Sequence, residues 1–143
     1  MANYSSDTRL RLVDPQIFDW LQEGESFQSI RDMITERINT FLKRNGVWAL
    51  LESRGLITDE GLVDTAKLAN PSDLEDLEDI WLQEVVYMGH INNCREGDAL
   101  FWKARLLRQE RIKRLRELVL LPDTDGDGVP DEPPIHPLSN LRA

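Results

Sequence analysis

Two long stretches of the chain carry apolar side chains at spacings of three and four residues, which is the period of an α-helix. They span residues 26–44 and 72–93. Their apolar stripes consist of Phe27, Ile30, Ile34, Ile38, Phe41 and Leu42 in the first, and of Leu74, Leu77, Trp81, Val85 and Met88 in the second. Ser72 and Glu75 have the spacing of a capping box, which places the second helix start at Ser72. The pattern predicts two amphipathic helices.

Weaker patterns predict the other elements. Asp14-Pro15 is typical of a helix start, and a short helix is expected from there to Gly24. Another short helix is expected over residues 48–53, and a long last helix over residues 99–120. The sequence therefore predicts an all-α protein: a small helical bundle with a long last helix, followed by an extended C-terminal tail that contains an Asp-rich loop.

This pattern divides the chain into three regions. Residues 1–13 are mainly polar and are expected to form an extended N-terminal arm. Residues 14–121 would form the helical bundle domain, and residues 122–143 an Asp/Pro-rich C-terminal tail. A chain of 143 residues is long enough for one modest hydrophobic core.

The charge of the chain disfavours some functions. The net charge is −9, so binding of nucleic acid across the whole surface is not expected. The acidity could simply keep the protein soluble. No apolar run approaches the roughly 20 residues of a membrane span, and the first residues lack the features of a signal peptide. We therefore expect a soluble protein that is made in the cytoplasm and has no membrane partner.

Catalytic residues are not evident. The single cysteine, Cys94, lies four residues after His90 and could share a helix face with it. Nothing nearby resembles an oxyanion nest or an orienting acid, and a buried small side chain is the simpler interpretation of Cys94. The sequence predicts a protein that is not an enzyme and requires no cofactor.

The predicted last helix is basic, in contrast to the acidic helix before it. Seven of the chain's 17 Lys and Arg residues lie between positions 103 and 116. One interpretation is a solvated face with ion pairs inside the chain. Another is a contact between subunits, in which an acidic face meets a basic face; the candidate residues are Asp73, Asp76, Asp79, Arg105, Arg108 and Arg111. Binding of nucleic acid by this helix is a third interpretation, but its polar side has no interleaved aromatic side chains on which bases could stack.

The segment after this helix has the spacing of a calcium-binding loop. Oxygen ligands would come from the side chains of Asp123, Asp125, Asp127 and Asp131 and from the carbonyl of Val129. Pro134 occupies the twelfth position, where a complete EF-hand loop has a bidentate Glu, so a complete EF-hand is excluded. An acidic linker without metal is the alternative.

Beyond the loop, prolines predict a stiff extended tail. Ile135, Leu138 and Leu141 recur at every third residue, which places them on one side of a polyproline-type strand. This apolar edge indicates docking onto a partner, and disorder is the competing interpretation.

The order of these features resembles that of the head-to-tail connector (adaptor) proteins of tailed bacteriophages. The resemblance is carried by Phe101-Trp102-Lys103-Ala104 in the basic last helix and by Leu120-Leu121-Pro122 followed by Asp-Thr-Asp-Gly-Asp-Gly. It implies a structural virion protein that forms a homo-oligomeric ring under the portal protein, contacts tail or neck proteins and lines a channel through which DNA passes. The proline-dense end departs from that pattern.

Two other classes of protein stay open on the sequence. A small calcium-binding interaction module would use the truncated EF-hand-like loop, with calcium as a possible ligand. A small DNA-binding regulator would use the basic helix, although the net charge of −9 disfavours it.

Overall fold

The computed structural model describes residues 2–91 and 97–138, without the side chains of residues 97 and 98. Cys94 and Leu141 lie outside this part of the chain. The all-α prediction is confirmed: the described residues form helices and no sheet. The α-helices are α1 (Asp7–Val13), α2 (Gln28–Arg44), α3 (Val47–Ser53), α4 (Pro71–His90) and α5 (Gly97–Glu117), and 3₁₀ helices occupy Pro15–Trp20 and Thr65–Lys67.

Helix α4 is the central element, because α1, α2 and α5 all contact it. From α1, Arg9 pairs with Glu75 at 3.0 Å, and from α5, Arg111 pairs with Glu84 at 2.6 Å. Helix α2 packs on a third side, where the leucines of α4 enter the core. The fully buried core side chains include Leu10, Ile17, Ile34, Ile38, Leu42, Leu51, Leu56, Leu74, Leu77, Leu82 and Leu120.

The N-terminal arm is not extended as we expected. Residues 7–13 form α1, with Ser6 as the N-cap whose hydroxyl accepts a hydrogen bond from the amide of Arg9 at 3.3 Å. Leu10 is fully buried in the core. Asp14 makes no capping hydrogen bond to the following 3₁₀ helix, because its carboxylate turns inward and accepts from Tyr87.

The predicted capping box at Ser72 is wrong. Helix α4 begins at Pro71, preceded by Asn70, and Glu75 pairs with Arg9 instead of folding back onto the helix start. The amide of Asn70 carries both a donor and an acceptor, and it binds the carbonyl of Val119 and the amide of Leu121. This side chain therefore ties the start of α4 to the chain that follows α5.

The segment after α5 returns to the core instead of leaving it. Leu120 and Ile135 exchange two backbone hydrogen bonds of 2.8 and 2.9 Å in an antiparallel bridge, and Leu68 and Pro122 form another. Helix α5 ends at Glu117, three residues before the predicted end, because residues 118–122 adopt this extended pairing. Within the described part of the chain, no helix has both the length and the apolar character of a membrane span.

Candidate functional site

The Asp-rich loop is folded around the buried carboxylate of Asp123, which is 3% exposed. Its two oxygens accept hydrogen bonds from the amides of Gly126 at 3.0 Å and Gly128 at 2.7 Å. Both glycines have positive φ, +73° and +84°, a conformation that glycine adopts at low cost. The two glycines thus allow the backbone to wrap closely around one carboxylate.

Asp131 closes the loop from the other end. One of its carboxylate oxygens accepts from the amide of Thr124 at 2.9 Å and from the amide of Asp125 at 3.2 Å. One carboxylate oxygen from each of Asp123, Asp125 and Asp131 lies within 4.8 Å of those from the other two. The structure therefore brings together three of the four aspartates that the sequence analysis selected.

Asp127, the fourth aspartate, does not belong to this group. Its carboxylate is exposed and accepts a hydrogen bond from the amide of Val129 at 2.8 Å, which makes a local turn. The role of the Val129 carbonyl as a ligand stays a prediction, and the Val129 side chain is 62% exposed.

The electrostatics of the loop reflect two carboxyl groups that face each other. The hydrogen bond to Asp123 raises the pKa of the Asp125 carboxyl. Desolvation acts to raise the pKa of Asp123, but the hydrogen bond from Asp125 and the amides of Gly128 and Gly126 outweigh it and lower that pKa. A proton shared by the pair relieves the repulsion, and a hard cation with oxygen ligands would relieve it more completely.

The loop is anchored firmly to the helical domain. The amide of Asp123 donates to the carbonyl of Lys67 at 2.8 Å, and the amide of Asp131 donates to the carbonyl of Pro122 at 3.0 Å. The Arg54 guanidinium donates to the carbonyl of Pro133 at 3.2 Å. The three carboxylates therefore occupy a fixed place on the helical domain and do not sit on a free tail.

Ile135 is not available for docking onto a partner, as the sequence analysis expected, because it is 2% exposed in the core of its own chain. Pro137 is also buried, and Leu138 is half-buried. The apolar edge that was expected to face a partner therefore places Ile135 in the chain's own core.

The predicted subunit-contact residues fall into two groups. Asp79 is 2% exposed and pairs with Arg9 and Arg31, Asp76 pairs with Arg9 and Arg114, and Arg111 pairs with Glu84. These three candidates are used inside the chain, as the alternative interpretation held. Asp73, Arg105 and Arg108 are exposed.

The outward side of α5 is unusually apolar for an exposed surface. The contacts of α5 are made chiefly with α4, which covers one side of the helix. On the other side Trp102 is 56% exposed and Leu106 is 61% exposed. We call this surface the α5 outer face and define it by Phe101, Trp102, Arg105, Leu106 and Arg108.

A buried ionic network, which the sequence analysis missed, lies where α1, α2 and α4 meet. Arg31 is 1% exposed and its guanidinium lies 3.3 Å from both Glu78 and Asp79. Glu78 is fully buried and also accepts from the amide of Ser5 at 2.5 Å and from the hydroxyl of Thr35. Burial raises the pKa of Glu78, and these hydrogen bonds limit the rise. The network holds the N-terminal residues on the domain.

The sequence did contain a signal for this network. Arg31 lies four residues after Phe27 and three before Ile34, and Glu78 lies midway between Leu74 and Leu82. Both charges therefore stand on the apolar stripes of their helices, where a charge is costly unless it is paired.

A comparison with protein-family models, with curated proteins and with solved structures finds no match to this chain.

Proposed function

We propose that this chain is a structural, non-enzymatic head-to-tail adaptor of a tailed-phage virion, which forms a homo-oligomeric ring under the portal and lines the DNA channel. The observation that supports it best is the α5 outer face. A long helix that exposes Trp102 and Leu106 beside Arg105 and Arg108 has the character of a surface that another protein covers. The proposal also rests on the resemblance of residues 101–104 and 120–128 to the connector family.

The fixed C-terminal segment is compatible with this role. Because residues 118–138 are tied to the domain through Asn70, Lys67 and the Leu120–Ile135 bridge, the loop would present its carboxylates at one defined position in each subunit. In a ring, equivalent loops would form a circle of acidic sites facing a neighbouring component such as the portal, tail or neck proteins. The chain's net charge of −9 would let DNA pass without adhering.

The test is assembly of the chain in solution, alone and with purified portal protein. Light scattering and negative-stain electron microscopy should show rings of the chain alone, or rings that cap the portal. An unrelated acidic helical protein of similar mass serves as the control for the portal mixture. A chain that is monomeric alone and does not bind the portal would refute the proposal, and tight binding to duplex DNA at low salt would favour the regulator instead.

The second candidate function is calcium binding, favoured by the convergence of Asp123, Asp125 and Asp131 within 4.8 Å. The three carboxylates supply hard oxygen ligands, and water or the Val129 carbonyl would complete the six to eight that calcium takes. This function is compatible with the first, since a bound cation would stiffen the loop that follows α5.

Calorimetry and thermal unfolding in calcium test this second candidate. Millimolar calcium should raise the melting temperature of the chain, and Asp125→Asn should abolish the increase. Asp59→Asn is the matched control, because Asp59 is an exposed aspartate in a loop outside the Asp123–Asp125–Asp131 group. Equal responses of the two variants, or no response of the wild-type chain, would exclude a calcium site in this loop.

A further inference from the structure

We infer that the α5 outer face binds a second copy of this chain, on the surface formed by α1 and the adjoining 3₁₀ helix. This inference rests on the proposed function, because it names the surfaces through which a ring would assemble. Both surfaces are defined by exposed residues. The acidic side of the contact is formed by residues at α1 and the 3₁₀ helix, and not by the acidic residues of α4 that the sequence analysis selected.

Three members of the α5 outer face, Phe101, Arg105 and Arg108, also line an apolar groove beside α4, whereas Trp102 and Leu106 lie outside that groove. The groove has a volume of about 440 Å³ and is lined by Met88, Phe101, Ala104, Arg105, Arg108 and Ile112. Arg105 stacks on Trp102 with 5.3 Å between the guanidinium carbon and the ring centre, so the aromatic ring and the charge are held together. Among the described side chains, neither Arg105 nor Arg108 has an acidic partner within salt-bridge distance.

The complementary surface, which we call the α1 edge, combines exposed apolar and acidic side chains. Leu12 is 84% exposed and Val13 is 58% exposed at the end of α1. The 3₁₀ helix and the residues after it add Asp19 and Glu23, which are exposed and form no ion pair within the described part of the chain. α1 and the 3₁₀ helix are in contact, with Arg11 4.0 Å from the ring centre of Phe18.

Charge and exposed apolar area together select a second copy as the occupant. Two α5 outer faces would bring arginines against arginines, whereas the α1 edge offers two exposed carboxylates and two exposed aliphatic side chains. The contact is heterologous, since two different surfaces of the chain meet, and heterologous contacts close into rings or extend into filaments. The surface beside Val129 is also apolar and acidic, but it exposes one large apolar side chain where the α1 edge exposes two.

Charge reversal on each surface tests the inference directly. Arg105→Glu with Arg108→Glu gives an α5 variant, and Asp19→Lys with Glu23→Lys gives an α1 variant. Each variant alone should need about tenfold more protein to assemble, because its two surfaces then carry charges of the same sign. A mixture of the two variants should assemble as the wild-type chain does, because both contacts between unlike copies are complementary again. Light scattering over a concentration series is the measurement.

The matched controls reverse charges elsewhere. Asp59→Lys with Glu60→Lys and Arg37→Glu with Arg44→Glu change exposed residues outside both surfaces and should leave assembly unchanged. Asp125→Lys with Asp127→Lys examines the acidic surface beside Val129, and loss of assembly in that variant would overturn the choice of the α1 edge. Circular dichroism checks folding, and recovery in the mixture excludes misfolding as the cause of any loss.

The outcomes separate this inference from the proposed function. If the wild-type chain forms rings and both charge-reversed variants still form them, the inference is wrong and the adaptor proposal stands. The same conclusion follows if the wild-type chain forms rings but the mixture of the two variants does not assemble. If assembly follows these surfaces but the portal is not bound, the inference holds and the adaptor role fails. A wild-type chain that stays monomeric at every concentration and with the portal refutes both. Binding of a monomeric wild-type chain to phosphatidylglycerol vesicles, lost in the α5 variant, would assign the face to lipid instead.

Discussion

Two acidic clusters of this molecule differ in how their charges are balanced. In the interior network, Glu78 and Asp79 lie 3.3 Å from the guanidinium of Arg31. In the C-terminal loop, Asp123 and Asp125 face each other and their surroundings are mostly backbone amides. In the interior network each of these carboxylates has a side-chain cation, whereas among the described residues no side-chain cation lies within salt-bridge distance of Asp123 or Asp125.

This difference separates a structural cluster from a candidate binding cluster. A buried carboxylate with an opposite charge stabilises the fold only while its partner is present, and removal of the partner is costly. Carboxylates that face each other cost the fold something unless a proton or a cation joins them. Changes of charge should therefore have opposite effects in the two regions.

The largest effect is expected from Arg31→Met. This substitution leaves Glu78 fully buried without its cation, and we expect a loss of about 3–5 kcal/mol in the free energy of unfolding. Urea unfolding followed by circular dichroism measures it. Arg37→Met is the matched control on the same helix, because Arg37 is exposed, and its effect should stay within about 0.5 kcal/mol.

A second substitution sharpens this prediction. Adding Glu78→Met to Arg31→Met should recover part of the loss, because the uncompensated charge is then removed together with its partner. No recovery would mean that the destabilisation comes from lost packing of the long Arg31 side chain and not from the charge left behind.

The next largest effect is expected from Ile135→Ala. Ile135 is 2% exposed, and its truncation should cost about 2–4 kcal/mol through lost apolar contact and a residual cavity. Val129→Ala in the same segment is the control, since Val129 is 62% exposed, and it should be nearly neutral. Similar unfolding curves for the two variants would contradict the assignment of the C-terminal segment to the core.

These residues also show how far the sequence could predict the fold. The helices α2 and α4 were predictable because their apolar stripes are long and regular. Helix α1 was not, since it has seven residues and only Leu10 is buried among them. Its position depends on Arg9, whose partners in α4 lie more than sixty residues away in the sequence.

The candidate loop was easier to predict than the surfaces around it. Asp123, Asp125 and Asp131 lie within nine residues, so the local spacing of carboxylates and glycines was enough to predict that they meet. The direction of Ile135 was not predictable, because a period of three gives a side of the strand but does not say whether the chain's own core or a partner covers it.

A further effect is expected at alkaline pH, in the interior region. Burial raises the pKa of Tyr4, with the charge of Glu78 adding to it, and burial together with Asp14 raises the pKa of Tyr87. The unfolded chain ionises its tyrosines near pH 10 while the folded chain does not, so this stability is complete below about pH 10 and is lost as the pH rises further. For Tyr4 the loss should approach about 1.4 kcal/mol per pH unit.

The measurement is the absorbance of tyrosinate at 295 nm, followed with the helical signal in circular dichroism. The chain has two tyrosines, and both should ionise together with unfolding and not before it. Tyr87→Phe should move the unfolding transition to higher pH, provided that Phe fills the same space. Tyrosine ionisation near pH 10 in a chain that keeps its helical signal would contradict the buried positions of these rings.

The smallest effect, and one of opposite sign, is expected from Asp125→Asn in the absence of metal. The pKa of Asp125 is raised by its hydrogen bond to Asp123, so its ionised form is disfavoured in the folded chain. A group with a raised folded pKa stabilises the fold below its unfolded pKa and loses that contribution as the pH rises through the folded value. At pH 7 a neutral amide should therefore raise the melting temperature slightly, where Arg31→Met lowers it strongly.

Calcium should reverse which of the two chains, Asp125→Asn or wild type, has the higher melting temperature. Without metal, Asp125→Asn relieves repulsion between Asp123 and Asp125, but in calcium it removes one of three converging carboxylate ligands. Melting temperatures of both chains, measured with chelator and with millimolar calcium, should therefore cross. Asp59→Asn should follow the wild-type chain in both buffers. If Asp125→Asn is the less stable chain even with chelator, the loop is an ordinary hydrogen-bonded turn like the interior network, and the contrast between the two regions fails.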